Sequence, residues 1–471
     1  MRKALLLLFA GLATTAGQPA ALAQGSSALD PASAAPWRLG RALQTPPWFE
    51  VRGSLQARYE SLDRRLRVGE AGENHGLFTR MLFEMTLRDT YLAVTTELMD
   101  ARVSGEPDDA TTTTGQVNTA ELLQGYVAAN FSDAFAPGDQ LRVQFGRHTM
   151  DVGPRRLVAR NVFRNTVNAF TGLNAQWRSA GGVTARAFYV LPINRLPGNG
   201  DIGALRDGDV RFDDEDPEVR FGGLVVEAPG GALGGTIAGQ VFGLHEGDSS
   251  DRATRDRRLT TIGARWHRSP QSERIHWEFE SNYQFGTSRS STASTTDLDH
   301  EASMHHLSLG YTFPGSAELR VEGLFDYVTG DNDPGDENNQ RFDTLFGVPR
   351  QDFGPTGLFR EVSRANLISP GIRLNFRPAE RWAVMAMFRA NFLESDRDAW
   401  TTTGIQDPTG SSGDHIGDLS EIRFRYDLIP ETSRLEFGVA YHSAGSFARN
   451  ASTGASGRDA LFGYVQTTIW F

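Results

Sequence analysis

Residues 274–286 read RIHWEFESNYQFG. Ile275, Trp277, Phe279, Tyr283 and Phe285 alternate with Arg274, His276, Glu278, Glu280, Asn282 and Gln284. A period of two places every second side chain on the same face of a strand, so one face is apolar and the other strongly polar. The pattern recurs in FEVRGSLQARYE (49–60), AELRVEGLFDYV (317–328), WAVMAMFRANF (382–392) and EIRFRYDLI (421–429). Eighteen such segments are read along the chain, beginning near residues 48, 77, 90, 119, 140, 168, 182, 219, 235, 257, 273, 303, 317, 364, 380, 415, 432 and 460.

The connections carry a second regularity. Long ones (61–75, 101–118, 147–167, 192–218, 246–256, 287–302, 331–363, 395–414, 445–458) alternate with tight ones such as SAGG, PGS and PETS. Long loops on one side and short turns on the other define a transmembrane antiparallel β-barrel, with an even strand number and both termini on the periplasmic side. A soluble sandwich or propeller also has many short strands, but a propeller repeats at fixed length, and no such repeat is visible here. Aromatic residues at strand ends (Trp48, Tyr59, Trp177, Tyr189, Trp382, Trp470) suit the two interfacial girdles. The expected fold class is therefore all-β: a barrel of about 18 strands with short periplasmic turns and long extracellular loops.

The beginning of the chain agrees. Arg2 and Lys3 precede the apolar run Ala4–Ala13, and Ala21-Leu22-Ala23 gives the small-x-small pattern of a cleavable signal peptide. The expected division is 1–23 signal peptide, 24–46 flexible periplasmic segment and 47–471 outer-membrane barrel. Cleavage would leave 45 basic residues, all arginine, against 58 acidic ones. An exported acidic chain makes nucleic acid an unlooked-for partner. Cysteine is absent, which suits an oxidising compartment. The last strand, LFGYVQTTIWF, ends on Phe471, resembling the terminal signal that the barrel-assembly machinery reads in bacterial outer-membrane proteins.

Against this acidic balance, GRHTMDVGPRRLVARNVFRN (146–165) holds Arg147, Arg155, Arg156, Arg160 and Arg164 with only Asp151 in opposition. The i, i+4, i+8 spacing of Arg156, Arg160 and Arg164 would form one row on a helical turn opened by Pro154, with Val158 and Val162 on another face. Folded into the lumen, that row would focus positive potential at a narrow point. As an outer loop it would instead meet lipopolysaccharide phosphates. On the strands, Arg52, Arg58, Arg80, Arg142, Arg178, Arg186, Arg320, Arg373, Arg389, Arg423, Arg425 and Arg434 fall on the polar face, in near balance with acids there. They serve either as lining or as members of cross-strand charge ladders.

The stretch 144–170 resembles the alginate-export family of outer-membrane barrels, through Gly146-Arg147 and Phe170-Thr171-Gly172, with Thr171 where an acid is expected. RFDTLFG (341–347) with NLISPG (366–371), and ELMDAR (97–102), are similar to further segments of that family. The resemblance implies an eighteen-stranded conduit with an arginine-lined interior for an anionic polysaccharide.

Other chemistries find less support. Asp331, Asp333 and Asp336 could ligate calcium, but Pro334 interrupts the loop and no spaced glutamate follows. His305 and His306 are adjacent on a strand and so point apart. HExxH, GxSxG and phosphate-binding glycine loops are missing, so neither an enzyme nor a cofactor is expected. The leading expectation is an outer-membrane channel exporting an anionic polysaccharide, with outer-membrane lipid, lipopolysaccharide and periplasmic export proteins as further partners. Two alternatives stand beside it: an uptake porin for small anionic solutes or oligosaccharides, and a surface adhesion or lipid-hydrolysing barrel.

Overall fold

The computed structural model describes residues 36–70, 72–161, 163–230, 233–451 and 457–471. The expected signal peptide lies outside the described residues. Eighteen long strands follow one another in chain order. The first six are β1 (Phe49–Leu62), β2 (Asn74–Arg88), β3 (Leu92–Ser104), β4 (Asn118–Ser132), β5 (Gln140–His148) and β6 (Phe170–Arg178). Then come β7 (Thr184–Asn194), β8 (Val219–Gly230), β9 (Gly235–Glu246), β10 (Arg258–Arg268), β11 (Ile275–Ser288) and β12 (Leu298–Thr312). The last are β13 (Arg320–Val328), β14 (Leu367–Phe376), β15 (Trp382–Phe392), β16 (His415–Ile429), β17 (Ser433–Ala444) and β18 (Ala460–Trp470). Each pairs antiparallel with its chain neighbours, and β1 pairs with β18 from Ser54↔Trp470 to Leu62↔Phe462, which closes the barrel and leaves no edge. The chain's terminal Phe471 joins the seam, its N–H donating to the Gly53 carbonyl at 3.0 Å.

The strands lie where the alternation put them. The largest discrepancy is β12, read from 303 and beginning at Leu298. Its first turns, Asp299 and Glu301 on one face and His300 on the other, are polar on both sides, so no alternation marks them.

The polarity of the wall is inverted relative to a soluble protein. On β11, Phe279, Tyr283 and Phe285 are 45%, 40% and 41% exposed, whereas His276, Glu280, Asn282 and Gln284 are buried. The exposed row faces lipid and the buried polar row faces inward. Trp266 meets Trp277 at 5.2 Å and Trp382 meets Tyr426 at 4.8 Å, at the periplasmic ends of their strands, where an interfacial girdle belongs. No helix among the described residues is long and apolar enough to cross a membrane. The helices are short: α1 (Leu39–Ala42), α2 (Ile202–Asp207) and α3 (Ser446–Asn450). α1 belongs to the segment expected to be a flexible lead-in. Beside it, Arg38 donates to the Glu431 carbonyl at 3.2 Å, holding residues 36–46 against the periplasmic turn between β16 and β17.

Candidate functional site: the lumenal loops

Two connections leave the rim and fold inward: residues 149–169 between β5 and β6, and 329–366 between β13 and β14. They carry the two segments that single themselves out in the sequence, and they pair with each other. Val158 and Phe346 form a parallel bridge, with Ala159 N–H donating to the Phe346 carbonyl (3.1 Å) and Phe346 N–H to the Leu157 carbonyl (2.9 Å). Val348 N–H extends this to the Arg155 carbonyl at 3.1 Å. The approach is so close that a Cβ on Gly347 would lie 1.7 Å from the Arg156 carbonyl oxygen, so only glycine fits there.

An apolar core forms within the barrel around this ladder. Met150, Leu157, Val158, Phe163, Phe342 and Phe353 from the loops are buried with the inward Phe170, Phe221 and Phe242 of the wall. The Phe346 ring sits 5.3 Å from Phe170 and 4.9 Å from Phe221.

The expected helical row of arginines is not formed. The described residues of 149–169 form no helix, and Arg155 and Asn161 adopt positive φ (65° and 56°). From Arg156 onward its backbone bonds run to the opposite loop (Ala159 N–H to the Phe346 carbonyl) and across the segment (Asn168 N–H to the Arg160 carbonyl, 3.0 Å), so Arg156, Arg160 and Arg164 fan out to different partners. Val158 is fully buried in the bridge, and Val162 lies outside the described residues. Nor is the block unopposed. Arg156 reaches Glu278 and Glu280 of β11, both at 2.6 Å, and Asp352 of the facing loop at 3.0 Å. Because Glu278 and Glu280 lie in the periplasmic half of β11, this contact places the loop deep in the barrel. Arg160 pairs with Glu97 at 2.7 Å. Arg155 lies against the side-chain amide of Gln351.

Arg147 shares the strand face of Phe145, which is 69% exposed, and is held at the outer rim by Glu121 (2.5 Å) and Glu215 (2.9 Å). It does not point across the lumen.

The strand arginines fall on the inward face. Most are matched there, as charge ladders require. Arg52 pairs with Glu84 (2.7 Å), Arg58 with Glu60 (2.6 Å), Arg320 with Glu322 (3.4 Å), Arg389 with Asp326 (2.6 Å) and Arg434 with Asp427 (2.7 Å). Arg425 pairs with Glu436 directly across β16 and β17. Arg373 binds the Gln351 carbonyl and lies 3.8 Å from Asp352. Others rest on neutral acceptors: Arg142 on Asn130 (2.9 Å), Arg186 on the Asp151 carbonyl (2.5 Å), and Arg80 on Gln56 (3.0 Å) and the Arg164 carbonyl (3.1 Å). Arg178 is half-buried, and Arg423 stands on the inward face of β16 two residues from Arg425.

Two loop phenylalanines organise these cations. The Phe163 ring is approached by the guanidinium groups of Arg58 (4.3 Å) and Arg350 (4.5 Å), and Phe353 by those of Arg364 (5.2 Å) and Arg389 (4.9 Å). Each ring offers its quadrupole to two cations.

One cluster of loop cations shares a neutral acceptor. Arg164 and Arg195 both donate to a single neutral acceptor, Asn168 Oδ1, each at 2.5 Å. Burial, then Arg195 and Arg360, hold the Arg164 guanidinium well below its usual range. Arg360, exposed to solvent, is lowered by surrounding protein and then by Arg67. Among the described residues no carboxylate forms an ion pair with Arg164, Arg195 or Arg360. Arg195 and Arg360 lie in loops that the charge pattern did not single out: Arg195 is a lone arginine beside Pro197, and Arg360 sits between Phe359 and Val362. Arg350, Asp352, Phe163 and Phe353 sit in or beside the family-like segments, which is the clue that could have found them.

The acids read as a weak calcium site do not assemble. Asp333 and Asp336 accept from Gly335 N–H (3.3 Å) and Asn338 N–H (2.6 Å) in local turns. Asp331 instead faces Asp398, whose oxygen accepts its N–H at 3.0 Å. Among the described residues no group of three His, Cys, Asp or Glu side chains could hold a metal. Burial, then Asp398, pushes the Asp331 carboxyl up to about 6. A carboxyl raised on folding stabilises the fold when protonated, and this is lost as pH rises through that value. Hydrogen-exchange protection of residues 393–414, corrected for intrinsic rates, should therefore be higher at pH 5 than at pH 7.5. In Asp331→Asn the difference should vanish; a difference that persists would refute the assignment. His306 meets Asp326 at 2.8 Å on the inner face, while His305, on the lipid face, meets Ser281 at 3.0 Å.

A closed barrel with an apolar outside, a charged inside and loops folded into its lumen is an outer-membrane channel. The chain belongs to the alginate-export family, whose model, "Alginate export", matches residues 48–462. No curated protein sequence matches it. Among solved structures, OccAB1 of Acinetobacter baumannii is 11% identical over 90% of this chain and 96% of that one, with a TM-score of 0.56. A BenF-like porin from Pseudomonas fluorescens Pf-5 gives 11% identity, 90% and 98% coverage and a TM-score of 0.57. OccK2 (OpdF) of Pseudomonas aeruginosa, crystallised in complex with glucuronate, gives 11%, 90% and 96%, and 0.54. At such identities the likeness is one of fold.

Proposed function

We propose that this channel exports an anionic polysaccharide and that the arginines of its inward loops conduct it. The observation that carries the reading is the convergence of Arg164, Arg195 and Arg360, from three separate loops, with no ion pair to a carboxylate among the described residues and only Asp213 acting on Arg195 from further off. An acidic chain that leaves these cations together supports a mobile counter-charge supplied by the cargo. Guanidinium groups suit it, since they bind carboxylates in bidentate fashion and an arriving carboxylate favours their charged form. Matched ladders cancel most of the wall arginines, which favours attraction at the level of the loop cations.

A second reading has one observation in its favour. The paired loops pack an apolar core across the lumen, which narrows it and suits small carboxylates; a barrel of the same fold holds glucuronate. Deletion of the gene separates the two. Export requires that acidic polymer vanish from the medium and accumulate in the periplasm. Normal secretion with lost growth on uronate oligosaccharides would instead establish uptake. We also propose that Phe471, ending the closing strand β18, serves the barrel-assembly machinery.

A further inference from the structure

The outward face of β8, β9 and β10 carries an arrangement that conduction does not use. Arg220 stands directly opposite His245, and His245 directly opposite Arg258, in the cross-strand register. All three lie at the outer ends of their strands. All three also share the lipid-facing side: Arg220 with the exposed Leu224 and Val226, His245 with Val241, and Arg258 with Ile262. Side chains directly opposite are about 5 Å apart, and like charges so placed repel.

Local acids do not cancel the row. Glu218 lies 3.9 Å from Arg220, with both side chains more than 40% exposed. Asp256 lies 3.4 Å from Arg258 but is held more closely by Arg289, at 2.8 Å. Among the described residues His245 has no side-chain hydrogen bond. The Arg258 side chain is 59% exposed.

Directly below the row, the same strands form a concavity of about 610 Å³ on the outer surface, bounded by Leu224, Val226, Gly239, Val241, Ile262 and Ala264. Gly239 makes its floor. A Cβ there would meet nothing within 4 Å, and its φ is not positive, so neither crowding nor backbone conformation calls for glycine. Glycine within a strand weakens it, and where no bulge or bend requires it the bare backbone leaves room for another molecule to approach closely. From Arg220 to Leu224, His245 to Val241 and Arg258 to Ile262 is four residues, about 13 Å along a strand. That is the offset between a lipid headgroup and the upper part of its chains.

We propose that this face is a binding site for a phosphorylated lipid of the outer leaflet. The phosphate would sit on Arg220, His245 and Arg258, and an acyl chain in the concavity. Guanidinium groups bind phosphate oxygens in bidentate fashion, which relieves the repulsion along the row. The row alone would serve a free anion equally well; the apolar concavity beneath it is what commits the site to a lipid.

The test uses the full-length barrel in non-ionic detergent, with diphosphoryl lipid A, its dephosphorylated form and sodium phosphate as probes. Binding is read by native mass spectrometry and by thermal shift. Diphosphoryl lipid A should stay bound, and the dephosphorylated form should bind at least about tenfold more weakly. Arg220→Gln/Arg258→Gln should lose a similar factor, while Arg220→Lys/Arg258→Lys retains most of the affinity. Gly239→Leu fills the concavity without touching the charges and should weaken diphosphoryl lipid A while the barrel keeps its heat-modifiable gel mobility. Because this variant leaves the basic row intact, it decides the question even if the double glutamine variant fails to fold. Arg377→Gln, at a periplasmic turn, should change nothing. Undiminished binding in Gly239→Leu, or sodium phosphate matching lipid A, would overturn the lipid site.

Discussion

Replacing Arg164, Arg195 and Arg360 together with alanine should abolish the anion preference of the channel. In planar bilayers under a salt gradient, the permeability ratio of chloride to potassium is expected to fall by about tenfold or more, since field focusing by low-dielectric walls changes local ion concentration by such factors. Among the described residues none of these three loop cations has a carboxylate in an ion pair, so their removal changes the net charge at one level of the lumen. Removing Arg58 or Arg389 alone would also take away one positive charge, but it would leave a buried carboxylate without its partner. The triple variant is the cleaner probe because Asn168 keeps its own N–H bond to the Ala159 carbonyl (3.0 Å) and holds the loop. The preference should also weaken with rising ionic strength, as exposed charges are screened beyond roughly 8 Å at physiological salt. A ratio unchanged by the triple substitution would remove the basis for the conduction proposal.

The second large effect is expected at Arg156. Its side chain is 4% exposed and bridges β11 to the facing loop. In Arg156→Met, Glu278 keeps Arg265 at 3.5 Å and Asp352 keeps Arg364 and Arg373. Glu280, 1% exposed, is left with amide donors alone, Gln240 at 3.2 Å and Asn282 at 2.9 Å. Stranding a buried carboxylate in this way costs about 3–5 kcal/mol. The barrel's own ladders are untouched, so the loss falls on the docking of the loops. Hydrogen exchange should accelerate across 149–161 and 340–352, and single-channel conductance should rise and become noisier. Arg156→Lys, which keeps the charge but not the fork, should fall between. Unaltered protection in both segments would show that the apolar core holds the loops without the ion pairs.

How much of this was written locally in the chain differs from part to part. The alternation in 274–286 gave β11 and both of its faces, because a strand between lipid and lumen meets the same two environments at every second residue. The start of β12 was missed where Asp299, His300 and Glu301 are polar in both directions. Spacing suggested a helical row at Arg156, Arg160 and Arg164. The backbone took another course because its hydrogen bonds close on Phe346, far along the chain. The arginine block looked unopposed for the same reason: its acid partner Glu278 is 122 residues away.

Sequence by itself determined the strand number, the order of long and short connections and the identity of the inward residues. These follow from contact with two solvents, and each strand records that contact in its own side chains. Only the tertiary structure decided which cations are cancelled and which are left. Arg147, Arg156 and Arg160 are matched by carboxylates that the fold brings to them. Arg164 is brought instead beside Arg195 and Arg360. Electrostatic compensation depends on distance in space, and within a barrel that distance is set by how its loops turn inward, which no single segment encodes.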